Sequence, residues 1–152
     1  MFYEVITNEA LVIPISAWAI AQLTKTSIAL LQGKGLDFRY LVSSGGMPSA
    51  HSALVTSLAT TVGMTQGFGS TVFGITVILA LIVMYDAAGV RQSVSQQSVV
   101  LNRIVRELRL RHSITNLEAD MRELLGHTPF QVIVGAFSGF ALAWLWITIA
   151  AM

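Results

Sequence analysis

The chain has 152 residues, of which 54% are apolar and only 11% are charged, with a net charge of +1 and no cysteine. Soluble domains carry about 25% charged residues, and a soluble core of this size could not hide so much apolar surface. The composition excludes a disordered chain, a charged coiled coil and a typical cytosolic domain, and it predicts one membrane-embedded domain over residues 1–152. Without cysteine, disulfides and thiolate chemistry are excluded, and the near-neutral charge argues against nucleic-acid binding.

Four apolar segments are candidate membrane-spanning helices. Residues 10–31 are long enough to cross about 30 Å of hydrocarbon, and Lys25 near their end would snorkel or face a polar cavity. Residues 49–63 are shorter and polar at the start, which predicts a helix shielded by its neighbours. The segment Thr71–Tyr85 would span if its helix ran one turn beyond each end, and residues 129–152 carry no charge. These segments predict an all-α polytopic fold of about four spans.

The polar stretch 86–127 separates the third and fourth spans. Within it, residues 94–111 combine one apolar helical face with ion pairs at i,i+4, which predicts an amphipathic helix on the protein or membrane surface. All nine Lys and Arg residues lie in or near this stretch and the loop between the first two spans. The positive-inside rule places both loops in the cytoplasm and both termini outside. We therefore expect an integral protein of the bacterial inner membrane.

The first cluster of candidate binding or catalytic residues precedes the second span and contains Ser44, Gly45, Gly46, Ser49 and His51. The glycines permit close backbone approach, and Ser49 is a favourable N-cap. Amide groups at a helix N-terminus form an anion site that phosphate commonly occupies, and His51 would stand beside the anion. The alternative interpretation is a glycine turn followed by an ordinary cap.

The second cluster begins the last span. Thr128, Pro129 and Gln131 fit a capping box with proline at the first helical position, and capping is a sufficient explanation for all three. His127 precedes them at the helix N-terminus. The helix dipole there disfavours imidazolium, so this histidine would stay neutral and nucleophilic.

The third cluster ends the third span. Asp86 follows an uncharged segment, and Arg91 comes about one and a half helical turns later. An acid at the mouth of a span is a functional candidate, and arginine suits bidentate phosphate binding. A helix-terminal ion pair is the alternative.

Together these clusters predict a single anion site on the cytoplasmic side. Two helix N-termini and two histidines would converge there with three cations, Lys25, Arg39 and Arg91. This constellation suits phosphoryl transfer, because cations and amides stabilise the equatorial oxygens while one histidine attacks phosphorus and the other protonates the leaving oxygen.

The motifs SSGGMPSAHSA, YDAAGVRQ and LGHTPF, in this order and spacing, resemble the divergent branch of the phosphatidic acid phosphatase and vanadium-dependent haloperoxidase superfamily. The resemblance covers nearly the whole chain and implies a small helical membrane protein that acts on a lipid phosphate. Residues 48–51 match the superfamily's Pro-Ser-Gly-His motif, which binds phosphate and supplies a general-acid histidine, here His51. His127 matches the nucleophile that forms a phosphohistidine.

Three features depart from the superfamily pattern. Gln131 stands where an acid orients the nucleophile, and an amide stabilises imidazolium less than a carboxylate does. Lys25 or Lys34 with Arg39 resembles the first superfamily motif only loosely, and Arg91 is our preferred substitute for the arginine close to the nucleophile. The chain also has fewer spans than the six typical of the membrane phosphatases.

The leading hypothesis is a membrane phosphatase for a phosphomonoester lipid, with phosphatidylglycerophosphate, phosphatidate and polyprenyl diphosphate as the substrates considered. His127 would attack phosphorus, His51 would protonate the lipid alcohol, and Asp86 would orient a histidine or bind a cation. We expect no required cofactor and no dedicated metal site, and dependence on Mg²⁺ stays open. The alternatives are a phosphate- or lipid-binding membrane protein without catalysis and, ranked lower, a vanadate-dependent haloperoxidase-like enzyme.

Gly135 and Gly139 form a G-x-x-x-G pattern in the last span, which lets helices approach closely. The pattern predicts packing either within one chain or between the subunits of a homo-oligomer. Four short spans give a polar site little shielding, which mildly favours the oligomer.

Overall fold

The structure is a computed structural model that describes residues 2–32, 46–90, 97, 99–101, 104 and 128–152. Over these ranges the protein is all-helical, which confirms the predicted fold class. The elements in chain order are α1 (Phe2–Ile6), α2 (Glu9–Leu31), α3 (Ala50–Gln66), α4 (Thr71–Tyr85), a π-helical turn (Asp86–Val90) and α5 (Pro129–Ala150).

Three helical segments are long and apolar enough to cross a membrane, and they are Glu9–Leu31, Thr71–Gly89 and Pro129–Ala150. They agree with three of the four predicted spans and make the chain an integral membrane protein. The remaining helix, α3, has 17 residues and is about 26 Å long. It falls short of the roughly 30 Å of hydrocarbon, so the count of four spans stays a prediction.

Each long helix begins at a residue whose side chain accepts a hydrogen bond from the first helical turn, and these residues are Asn8, Ser49, Ser70 and Thr128. Such caps satisfy amide groups that have no acceptor within the helix. The cap at Ser70 also corrects one expectation, because α4 does not extend a turn before Thr71. It is lengthened only at its C-terminal end, by the π-helical turn.

The polar helix α3 lies in the centre of the bundle and packs against α2, α4 and α5. Most of its residues are buried. The hydroxyl groups of Ser57, Thr60 and Thr65 each donate to a carbonyl oxygen of the preceding turn, at 2.8–2.9 Å. Because these hydroxyls are satisfied within the helix, α3 can be polar and buried together. The prediction of a helix shielded by its neighbours is confirmed.

The helices alternate in direction around α3. Ala21 of α2 packs against Ala50 and Ala53 at the start of α3, so these two helices are antiparallel. The turn between α3 and α4 brings Gly63 beside Phe73, which makes this second pair antiparallel as well. Consecutive spans of a four-span chain must be antiparallel, and α3 is antiparallel to both α2 and α4.

Two glycines allow α5 to lie directly on α3. A Cβ atom added to Gly135 would lie 3.0 Å from the Cβ of Ser49, and one added to Gly139 would lie 2.8 Å from the Cα of Ala53. Both contacts lie within one chain, so the G-x-x-x-G pattern serves intramolecular packing, one of its two predicted uses. A homo-oligomer, which stays a prediction, would need another surface.

The predicted amphipathic helix at 94–111 lies largely outside the described residues. Within it, residues 97, 99–101 and 104 are helical and exposed. Val100, Leu101 and Ile104 expose about half of their surface, between 48% and 58%. Since these positions share one helical face, the described residues agree with an apolar stripe that faces outward.

We expect Gly139→Ala to destabilise the protein, because the new methyl group would press on the backbone of Ala53. Overpacking of this kind lowers the free energy of unfolding by roughly 1–3 kcal/mol. Thermal unfolding in detergent micelles measures the effect. Gly74→Ala is the matched control, since a Cβ there meets no atom within 4 Å. Equal stability of the two variants would contradict the proposed close contact.

Candidate active site at the N-terminal ends of two helices

The first and last sequence motifs meet at one end of the bundle. The backbone N–H of Ser49 donates to the carbonyl oxygen of Gln131 at 3.2 Å. With Gly135 packed on Ser49 and Gly139 packed on Ala53, α3 and α5 run parallel. Their N-terminal ends therefore lie side by side, and we call this end of the bundle the site end.

Parallel packing gives the site end a positive character. The N-terminus of a helix carries a partial positive charge of roughly half an elementary charge. Two such ends placed together repel each other, and an anion bound between them relieves the repulsion. The packing of α3 on α5 thus creates a place where a negative group is stabilised.

Lys25 adds a cationic side chain at the same end. It belongs to α2, and only 5% of its surface is exposed. Its Cγ lies 3.2 Å from the position that a Cβ of Gly46 would occupy. Of the two predicted environments for this lysine, the structure shows the inward-facing one, packed beneath the turn that leads into α3.

Gly46 has a conformation and a neighbour that favour glycine. Its φ angle is +93°, a region that residues with a Cβ rarely adopt. The predicted close backbone approach is present, and the partner seen here is the aliphatic part of the Lys25 side chain.

Ser49 is the predicted N-cap of α3 and is fully buried. Its hydroxyl oxygen accepts from the backbone N–H of Ser52 at 3.4 Å and from the hydroxyl of Ser52 at 3.0 Å. With its own N–H donated to Gln131, Ser49 uses its polar atoms to start α3 and to join it to α5. The sequence predicts that Ser49 contacts phosphate directly. In the structure this residue has no exposed atom for such a contact.

His51 lies one residue into α3 and is exposed at the site end. This position places it within the first turn, as predicted. The Ser49 cap takes the Ser52 N–H, so an anion at this end would lie beside the imidazole and the remaining first-turn amides.

Gln131 takes part in the predicted capping box of α5. Its Oε1 accepts from the backbone N–H of Thr128 at 3.1 Å, and its own N–H donates to the hydroxyl of Thr128 at 3.4 Å. The side-chain oxygen predicted to orient a histidine is thus engaged in starting the helix.

Asp86 begins the π-helical turn and is half-buried. Together with Tyr85, Met84 and Val132, it lines an open cavity of about 800 Å³. Val132 belongs to the first turn of α5, so Asp86 lies beside the start of α5. Short π-helical turns often occur at functional sites, and the sequence analysis did not predict this one.

The described part of the site end contains Lys25, Gly46, Ser49, His51, Asp86 and Gln131. Other predicted site residues lie outside the described residues, and these are Arg39, Ser44, Gly45, Arg91 and His127. Ser52 was missed by the sequence analysis, although its position three residues after a serine cap is the spacing that such caps favour. Within the described ranges, no three His, Asp or Glu side chains are placed to hold a metal ion.

This chain is similar to a known protein family and to a bacterial membrane protein. The Divergent PAP2 family matches it over residues 6–142. An uncharacterized membrane protein of Bacillus subtilis (strain 168), YuiD, is 34% identical over 148 residues, an alignment that covers 91% of this chain and 94% of the relative. No solved structure matches.

Replacing Ser49 with alanine tests its role in starting α3, since the backbone bond to Gln131 is kept. The change removes the acceptor for both Ser52 groups and leaves a buried hydroxyl unsatisfied, so the free energy of unfolding should fall by about 1–2 kcal/mol. Ser138→Ala is the matched control, because that hydroxyl donates only within its own helix, to Gly135. Unfolding of both variants in detergent gives the comparison, and equal losses would contradict the role assigned to Ser49.

Proposed function

The chain belongs to the Divergent PAP2 family, and from this membership and the site end we propose that it is a membrane phosphatase that hydrolyses a lipid phosphomonoester. The hydrogen bond between Ser49 and Gln131 supports this most strongly. His51 follows Ser49 by two residues and His127 precedes Gln131 by four. One contact between two backbones therefore joins the starts of the two helices to which these histidines are close in sequence.

Binding of the phosphate rests on cations and amide groups. Lys25 and the first turns of α3 and α5 supply positive potential at the site end. In the proposal, Arg39 and Arg91 complete the cationic set, and the segment of Ser44, Gly45 and Gly46 offers further backbone amides. Such preorganised donors stabilise the charge that spreads over the equatorial oxygens during transfer.

The proposed reaction has two steps. A ring nitrogen of His127 attacks phosphorus, the bond from phosphorus to the lipid oxygen breaks, and His51 donates a proton to that oxygen. Water then gives a proton to His51 and attacks the phosphohistidine, which breaks the bond between nitrogen and phosphorus, releases inorganic phosphate and restores both imidazoles. Asp86 either orients a histidine or binds a cation, and Gln131 replaces the acid that orients the nucleophile in the wider superfamily. No cofactor enters either step.

A lipid suits this site better than a soluble phosphate ester. The site end belongs to a bundle whose outer faces are apolar, and the cavity beside Asp86 is lined mostly by apolar side chains. By the positive-inside rule the site end faces the cytoplasm, in a bacterial inner membrane. Phosphatidylglycerophosphate is therefore the first substrate to test, with phosphatidate and polyprenyl diphosphate next.

Single substitutions of the two histidines test the mechanism. His51→Gln and His127→Gln should each lower phosphate release from a lipid phosphate at least 100-fold, because general acid and nucleophile each contribute a factor of that size or larger. His112→Gln is the matched control, since the mechanism gives His112 no role. A screen of lipid phosphates with and without Mg²⁺ provides the assay. Wild-type turnover by both site variants on every substrate would contradict the mechanism.

A membrane protein that binds a lipid phosphate without hydrolysing it is the second candidate function. Gln131 favours it, because an amide stands where the wider superfamily has the acid and its side-chain oxygen is engaged in the capping box. Gln131→Glu distinguishes the two functions, since glutamate still accepts the hydrogen bond from Thr128. A several-fold increase in phosphate release would indicate an enzyme with a weakened site. No release by either form, with lipid phosphate still bound, would favour the binding function.

A further inference from the structure

Two cavities of the protein join into one groove. The cavity beside Asp86 and a second one of about 590 Å³ share Leu81 and Met84 among their lining residues. The second cavity has α3 as its floor, at Thr56, Ala59 and Thr60, and it has α4 and α5 as its walls. We call the joined space the α4–α5 groove.

The groove has a defined end on the side away from Asp86. Phe68 and Phe73 both line it there and pack edge to face, with ring centroids 5.3 Å apart and ring planes at 88°. The pair rests on Gly63, where a Cβ would lie 2.7 Å from the Phe68 ring and 2.9 Å from the Phe73 ring. Glycine at this position lets the aromatic pair sit against α3.

The length of the groove follows from the helix that forms its wall. Phe73 and Asp86 are thirteen positions apart in the sequence, which corresponds to about 20 Å along the helix axis. An extended chain of single bonds advances about 1.2 Å per bond. The groove therefore holds an extended chain of about 16 bonds.

The surroundings of the α4–α5 groove indicate which kind of molecule binds in it. The groove lies along helices that cross the membrane, and α4 and α5 each pack on α3 rather than on each other, so it opens sideways between them to hydrocarbon. Away from Asp86 its lining is apolar apart from the threonines of the floor, and the hydroxyl of Thr60 donates within its own helix. At the opposite end it includes the Asp86 cavity, beside the site end.

We propose that the α4–α5 groove binds one acyl chain of the lipid whose phosphate occupies the site end, and that Phe68 and Phe73 set the longest chain it accepts at about 16 carbons. The proposal rests on the proposed function for the identity of the head group. It adds a determinant of substrate selection that lies within the membrane, far from the reacting phosphate.

Photolabelling tests the groove without requiring turnover. The full-length protein is placed in phosphatidylcholine vesicles that contain a phosphatidate probe with a diazirine at the end of one 16-carbon chain. We expect labelling within residues 64–73. Ala59→Leu, which fills the floor, should lower this labelling at least fivefold. Gly74→Leu is the matched control, because a Cβ there meets no atom within 4 Å, and it should keep wild-type labelling.

A second variant changes the end of the groove and does not depend on tolerating a larger side chain. Phe68 is 68% exposed, so Phe68→Ala should fold. It should move the strongest labelling to probes two to four carbons longer. Phe137→Ala removes an equally large aromatic side chain, 72% exposed on α5, and should leave the preferred length unchanged.

Three results would contradict the proposal that the α4–α5 groove binds an acyl chain. They are equal labelling by a phosphatidylcholine probe, unchanged labelling in Ala59→Leu, and absence of label from residues 64–73 in the wild type. Phosphate release from the same vesicles separates the two proposals. The predicted labelling without any release would refute the phosphatase and support the groove. A rate of phosphate release that does not depend on acyl-chain length in any variant would refute the groove and support the phosphatase.

Discussion

The parallel contact between α3 and α5 is the constraint on which the rest of the structure depends. Glycine at 135 and 139 lets the backbones touch at Ser49 and Ala53. Small residues at such a contact are what a membrane helix pair needs, since lipid supplies little hydrophobic force to hold helices together. The contact places two positive helix ends side by side, an arrangement that is unfavourable unless an anion is present. Fold and proposed chemistry therefore share one cause.

Burial of a polar helix is the second consequence. α3 is too short and too polar to be a good membrane span alone, yet it is the most enclosed helix described. The apolar helices α2, α4 and α5 shield it, and its buried hydroxyls of Ser57 and Thr60 donate to carbonyl oxygens of the same helix. The same enclosure brings Lys25 beneath Gly46 and gives the α4–α5 groove its floor at Ala59. A polar centre with apolar walls is what a lipid phosphate, charged at one end and apolar along its length, requires.

Local features were predictable from the sequence. The caps at Ser49 and Thr128 and the capping box with Gln131 follow from short-range hydrogen-bonding rules, and apolar length gave three spans. The register of α5 on α3 was not predictable, because G-x-x-x-G indicates close approach without naming its partner. The π-helical turn was missed because the sequence after Tyr85 does not distinguish i+4 from i+5 bonding. The bond from the Ser49 N–H to the Gln131 carbonyl oxygen and the burial of Ser49 also depend on contacts that arise only in the folded chain.

In the proposed reaction the phosphoryl group passes through His127. A lipid phosphate labelled with ³²P is mixed with the protein, the mixture is quenched in base, and the position of the label is mapped. We expect a base-stable, acid-labile label on the peptide that contains His127, which disappears when unlabelled substrate is added in excess. Label on another residue, or steady release of phosphate by a chain that lacks His127, would contradict it.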